Sequence, residues 1–232
     1  MNLISSLLDL IAPRGCVMCG HRLDTDEEFL CRACNGELPR TQFHLDPYEN
    51  KMAQMFWGLI PVERVTALFY YTPSTKTSQI VYDLKYHHQP DIGVSMGQVA
   101  AKEIKDSGFF EGIDAIVPIP LTPQRQQERG YNQSMMIAKG ISRVTGIPIA
   151  DDAVVRLHFD QSQTHLDRWE RLKNVEQQFQ ATDKATLLKG KHVLMIDDVT
   201  TTGATIIACA SALHPKKEHI RFSVLTLGFT YS

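Results

Sequence analysis

Two groups of residues in this chain have the types and spacing to do chemistry. The first is Cys16, Cys19, Cys31 and Cys34: a C-x2-C pair, an eleven-residue gap and a second C-x2-C pair. Each pair can present two thiolates to one ion within a tight turn, and the gap lets a hairpin bring the pairs together. Four thiolates at tetrahedral positions suit Zn2+, in a closed and therefore structural site. Two disulfides or redox-active pairs are the alternative, disfavoured in a chain that reads as cytoplasmic. Gly20 and Gly36 follow the two pairs, where the backbone is expected to turn sharply around the metal. The second group lies in VLMIDDVTTTGATIIA, Val193 to Ala208. An apolar strand delivers Asp197 and Asp198, and Thr200, Thr201, Thr202, Gly203, Ala204 and Thr205 then open directly into a helix. Free amides at a helix start, together with threonine hydroxyls and a glycine that permits close approach, make an anion cradle. The lysine of a nucleotide-triphosphate P-loop is missing, which excludes that mechanism here. Paired carboxylates beside a phosphate cradle suit a ribose 5-phosphate, the acids accepting from its 2- and 3-hydroxyls. The competing interpretation, a plain helix cap, needs only one such residue.

These residues must be positioned by folded elements. The chain has 232 residues, 43% hydrophobic and 22% charged, with a formal net charge of −2. That composition excludes a disordered chain and a protein that coats nucleic acid by bulk charge, though a local basic groove stays possible. No apolar run is long enough to span a bilayer. Leu3, Ile4, Leu7, Leu8 and Ile11 recur at helical spacing and predict a short amphipathic helix docking on the body, without the basic start and apolar core of a signal peptide. Residues 1–60 hold four of the five cysteines and form an N-terminal helix and four-cysteine module; residues 61–232 form the main domain. There the pattern predicts strands over Val65–Tyr71, Ala115–Pro120, His192–Ile196 and Phe222–Leu227, and helices over Thr77–Lys85, Gly97–Lys105, Ser134–Val144 and Thr205–Leu213. Buried strands alternating with helices argue for an α/β fold with a mostly parallel, doubly wound sheet. Phe159 to Asn174 fits neither period and reads as a mobile loop entering a helix. Cys209 reads as a buried small hydrophobe, and His87 and His88 as exposed histidines without metal partners.

The strand, acidic pair and T-T-G-x-T loop resemble the signature by which type I phosphoribosyltransferases bind 5-phosphoribosyl 1-pyrophosphate (PRPP). A second run, IVPIPLTPQRQQERGYNQS from Ile116 to Ser134, carries Arg125, Arg129, Gly130, Tyr131, Asn132 and Gln133. With the four cysteines, this RGYNQS run resembles the ComF/GntX family of competence-associated, phosphoribosyltransferase-like proteins with an N-terminal zinc module. The likeness runs from Cys16 to the last strand. It implies the type I phosphoribosyltransferase fold and PRPP as ligand, with Asp197 and Asp198 on the ribose and Thr200 through Thr205 on the 5-phosphate. It also implies Arg125 and Arg129 on the pyrophosphate, which guanidinium forks bind in a bidentate manner. Lys85-Tyr86 matches the family too, although His87, His88 and Gln89 stand where relatives have a glycine. Ser162, Gln163, Thr164, Arg168, Arg171 and Asn174 match its flexible loop, with His165 and Leu166 replacing basic residues. The implied reaction is attack of an acceptor on C1 of PRPP with loss of pyrophosphate, and Mg2+ neutralising the leaving group. The implied alternative is a noncatalytic DNA-processing adaptor that binds single-stranded DNA or competence machinery through Arg125, Arg129, Lys139, Arg143, Arg156, Arg168, Arg171 and Lys173.

Overall fold

A computed structural model describes residues 14–157, 178–213 and 219–230. The expected N-terminal helix and the polar loop Phe159–Asn174, with Arg168, Arg171 and Lys173, lie outside the described residues. In chain order the elements are α1 (Arg32–Glu37), α2 (Lys51–Gln54), β1 (Val62–Tyr70), α3 (Ser78–Tyr86), α4 (Pro90–Ile104), β2 (Ala115–Pro118), α5 (Pro123–Arg129), α6 (Gln133–Thr145), β3 (Val154–Arg156), β4 (Phe179–Ala181), β5 (His192–Thr200), α7 (Ala204–Leu213) and β6 (Arg221–Phe229), with 3-10 turns over Phe43–Leu45, Lys105–Ser107 and Asp183–Leu188.

Four strands form one parallel sheet in the order β1-β6-β5-β2. The central strands β5 and β6 are buried along nearly their whole length, as a sheet covered on both faces requires. Alternation of side chains divides the core in two. Leu194, Ile196, Leu225 and Leu227 pack against α3, α4 and α6 through Ile80, Leu84, Ile92, Met96, Ile137 and Ile141. Val193, Met195, Phe222 and Val224 face α7 together with Met52, Phe56, Leu188 and Phe179. Cys209 is buried in this second layer, where burial pushes its thiol up. Among the described residues, no helix is long and apolar enough to cross a membrane.

The eight expected elements are all present, with shifted ends. Helix α4 begins at Pro90, seven residues before the expected Gly97, because Pro90 at its first turn and Asp91 beside it suit a helix start. Strand β5 runs to Thr200 and therefore carries both aspartates within its ladder. Helix α5 is not among the elements that the apolar period predicts. Its signals were Thr122, whose side chain accepts from Arg125 N, Pro123 at the first turn, and Gly130 ending it at φ 76°. The antiparallel pair β3 and β4 was not foreseen; each strand has three residues, too few to show a period.

Helices α4 and α6 meet where neither has a side chain. A methyl group on Gly97 would lie 2.2 Å from Ile137 O, and one on Gly140 would lie 2.1 Å from Val94 O. Backbone at such a contact cannot yield as a flexible side chain could. Gly97→Ala should therefore destabilise the protein by about 1–3 kcal/mol, despite a gain in helix propensity of about 1 kcal/mol. The check is a urea midpoint: a fall supports the close approach, and a rise rejects it.

Candidate ligand site at the carboxyl ends of the strands

Open α/β sheets bind ligands beyond the carboxyl ends of their strands, and the expected site residues gather there. Strand β5 ends in Asp197, Asp198 and Thr200, and the chain turns at Thr201 and Thr202 into α7. Thr201, Thr202 and Ala204 are exposed, Thr205 is partly exposed, and Gly203 is buried with φ 71°. An added methyl at Gly203 would lie 2.9 Å from the Phe56 ring. Glycine is thus required there twice, for backbone conformation and for space. Among the described residues, the hydroxyls of Thr200, at the end of β5, and of Thr66, within β1, are buried without a hydrogen-bond partner. The sequence did not single out Thr230, whose hydroxyl is likewise unpartnered and whose N–H donates to Thr200 O at 3.0 Å.

The two aspartates have different environments. Asp198 is buried and forms an ion pair with Lys85, Nζ to Oδ1 2.8 Å. Asp197 Oδ1 accepts from Ser134 Oγ at 3.1 Å and from Asp198 N at 2.9 Å. Burial, and then the neighbouring Asp198 charge, push the Asp197 carboxyl up to about 7, against the pull of those hydrogen bonds and Lys85. Ser134 ends the RGYNQS run and begins the expected helix; its contact with Asp197 follows from where the start of α6 lands.

Lys85 has a second role. With Tyr86, His88, Arg125, Glu128 and Arg129 it lines a cleft of about 330 Å3. Three expected cations are therefore brought together, and Lys85 connects their cleft to the acidic pair. Arg125 is exposed; Arg129 is partly buried, with Nη1 donating to Gln133 Oε1 at 2.7 Å and Cζ 5.7 Å from the Tyr86 ring centre. Tyr131 OH donates to Leu84 O at 2.5 Å, and Asn132 caps α6 while donating to Ile119 O. The turn after Tyr86 manages without glycine: His88 itself takes the left-handed conformation, φ 52°. His87 is half-exposed, but its Nδ1 lies 2.8 Å from Asp83 Oδ1, an acidic partner one helical turn away.

At the other end of the chain, the sulfur atoms of Cys16, Cys19, Cys31 and Cys34 lie within 4.8 Å of one another, and all four cysteines are free of disulfides. The Cys19–Cys31 sulfur separation is 3.8 Å. A tetrahedron with metal–sulfur bonds of about 2.3 Å has edges of about 3.8 Å, so the cluster can bind a metal such as zinc. Backbone N–H groups of Cys31 and Cys34 donate to the sulfurs of Cys16 and Cys31, both at 3.4 Å. Gly20 makes the expected left-handed turn at φ 72°, whereas Gly36 lies inside α1. The module is held to α4 by Arg40, whose fork meets the Glu103 carboxylate and whose Nη2 donates to Asn35 Oδ1, and by the Ser95–Glu28 hydrogen bond.

Comparison with known proteins identifies the family. Residues 85–226 match the model of the phosphoribosyl transferase domain. The chain is 27% identical over 201 residues to the DNA utilization protein YhgH of Escherichia coli, covering 85% of this chain and 83% of that protein. It is 31% identical to Competence protein F of Haemophilus influenzae, covering 47% of each chain. It is 33% identical to Competence protein ComFC of Bacillus subtilis, covering 48% of this chain and 43% of that one. The chain belongs to the phosphoribosyltransferase domain family, in its ComF group. A solved structure, glutamine PRPP amidotransferase from B. subtilis with ADP and GMP, aligns with a TM-score of 0.39 and 18% identity over 60% of this chain and 30% of that one.

The raised carboxyl of Asp197 makes stability depend on pH. A carboxyl ordinarily near 4 that titrates near 7 in the fold binds its proton more tightly when folded, so its contribution is full below about pH 4 and is lost as the pH rises towards 7. Asp197→Asn should raise stability at pH 8 by on the order of 1 kcal/mol and leave it nearly unchanged at pH 4. Denaturant titrations at the two pH values check this; an equal effect at both rejects it.

Proposed function

We propose that this protein binds PRPP, with its ribose diol on Asp197 and Asp198, its 5-phosphate in the Thr200–Thr205 turn, and its pyrophosphate in the cleft of Lys85, Arg125 and Arg129. The observation that carries this is the Lys85–Asp198 ion pair at 2.8 Å, which joins a cationic cleft to an acidic pair at the end of one strand. A ligand with a diol between two phosphate groups matches that order of charges. The unpartnered Thr200 hydroxyl and the buried left-handed Gly203 support an anion at the start of α7. In the proposed reaction an acceptor attacks C1, the C1–oxygen bond to pyrophosphate breaks, and the bonding pair leaves with pyrophosphate. Asp198 and Asp197 hold the diol and so fix the ring, while the fixed cations meet the charge that builds on the leaving group. Mg2+ would accompany the ligand and neutralise its pyrophosphate, in keeping with its preference for phosphates and few carboxylates. The four cysteines would hold Zn2+ and supply much of the folding energy of a module too small to bury its own core.

A second reading rests on the surface beside the cleft. Tyr82 and Tyr86 are exposed, with ring centres 5.0 Å apart, and His87 packs edge-on against Tyr82. Aromatic rings beside cations can stack bases and hold a phosphate backbone, so a noncatalytic adaptor for single-stranded DNA would also use this face. The related proteins' names, DNA utilization and competence, point the same way.

Calorimetry with PRPP and Mg2+ separates the readings. The first expects binding in the wild type and a loss of roughly 10-fold or more in Asp198→Asn, which removes a charged hydrogen-bond acceptor; unchanged affinity overturns the ribose assignment. Anisotropy of labelled single-stranded DNA across a salt series would show a steep slope only on the second. Metal analysis should find one zinc per chain, and a strong chelator should lower the melting temperature. A metal-free chain with the same melting temperature would reject a structural zinc.

A further inference from the structure

Gln133 and Ser134 are neighbours on the first turn of α6, and they are 1% and 3% exposed. They serve opposite parts of the site. Ser134 Oγ donates to Asp197 Oδ1, on the acidic side. Gln133 Oε1 accepts from Arg129 Nη1 at 2.7 Å, on the cationic side, and its Nε2 donates to Tyr131 O at 3.4 Å. Arg129 lies at the end of the seven-residue helix α5, where a long side chain would otherwise sweep through solvent. Two contacts restrain it: the Gln133 oxygen and the face of Tyr86. Burying a carboxamide is costly unless both ends are bonded, and its oxygen is given to a cation at the cleft. For packing alone, an apolar side chain of the same length would serve better.

Building on the PRPP reading, we propose that Gln133 is a positioning residue that aims Arg129 at the pyrophosphate, while Ser134 separately orients Asp197 towards the ribose diol. One turn of α6 then sets both ends of the ligand. Tyr131 and Asn132, just before it, hold the chain of Lys85 and the exit of β2 through Leu84 O and Ile119 O, so the same segment fixes the backbone from which the remaining groups project.

The test uses the full chain and two probes, inorganic pyrophosphate with Mg2+ and ribose 5-phosphate, each titrated by calorimetry. Gln133→Met keeps the length and buried volume; it should weaken pyrophosphate binding roughly 10-fold, the loss of one charge-assisted hydrogen bond, and leave ribose 5-phosphate unchanged. Ser134→Ala should do the reverse and move the pH midpoint of ribose 5-phosphate binding upward, since a donor to the Asp197 carboxylate is gone. In an Arg129→Met background, Gln133→Met should add no further loss, because its effect passes through the guanidinium. If Gln133→Met does not fold, Gln133→Asn shortens the reach by one methylene and should give the same split. Equal losses for both probes, or a further loss without Arg129, would show a merely structural glutamine and overturn the assignment. A wild-type chain that binds both probes, with Gln133→Met indistinguishable from it, overturns this assignment alone. A wild-type chain that binds neither overturns the PRPP reading and this assignment with it.

Discussion

Two carboxylates in succession at the end of a buried strand repel each other, and much of the site can be understood as the means of keeping them there. Asp198 is neutralised by Lys85, which reaches it from the last turn of α3. Asp197 accepts from neutral donors, the Ser134 hydroxyl and the Asp198 amide, and their pull is outweighed by burial and then by the Asp198 charge, so it holds its proton to higher pH. This unequal treatment fixes which elements must converge: the end of β5, the end of α3 and the start of α6 have no freedom to separate without leaving a buried charge unpaired. Lys85, once placed, also brings its charge to the cleft shared with Arg125 and Arg129.

The supporting structure shows the same need for close tolerance. Helices α4 and α6 touch backbone to backbone at Gly97 and Gly140, which lets α6 bring its first turn against β5. On the other face, Phe56 is fully buried against Gly203. The segment that follows the four-cysteine cluster therefore underlies the turn into α7, and the core of the α7 layer includes Phe43, Met52 and Phe56 alongside sheet residues. The cluster itself forms a small separate core with Leu23, fastened to α4 by Arg40 and Glu28. The four-cysteine cluster and the candidate ligand site thus share one scaffold without sharing residues.

Much of this was legible beforehand where the signal is local and redundant. The run from Val193 to Ala208 states a buried strand, an acidic pair, a hydroxyl-rich turn and a helix in consecutive residues, and each is found in place. The cysteine spacing likewise states a cluster that one metal could hold. What escaped was either too short to show a period, as with β3 and β4, or signalled by caps instead of apolar spacing, as with α5 and the first two turns of α4. The acidic partner of His87 is Asp83, four residues back on the same helix, an ordinary helical ion pair with no metal-like spacing.

By itself, then, the sequence determined the α/β alternation and the two chemical motifs, because hydrophobic period and motif spacing are properties of neighbouring residues. Only the tertiary structure decided that Lys85 pairs with Asp198, that Ser134 and Gln133 hydrogen-bond Asp197 and Arg129 from neighbouring positions of one helical turn, and that Phe56 packs against Gly203. Those pairs lie from 4 to 147 residues apart, as the numbering of Gln133 with Arg129 and of Phe56 with Gly203 shows. Which of many possible partners a side chain meets is set by how helices pack on the sheet, and no local pattern encodes that.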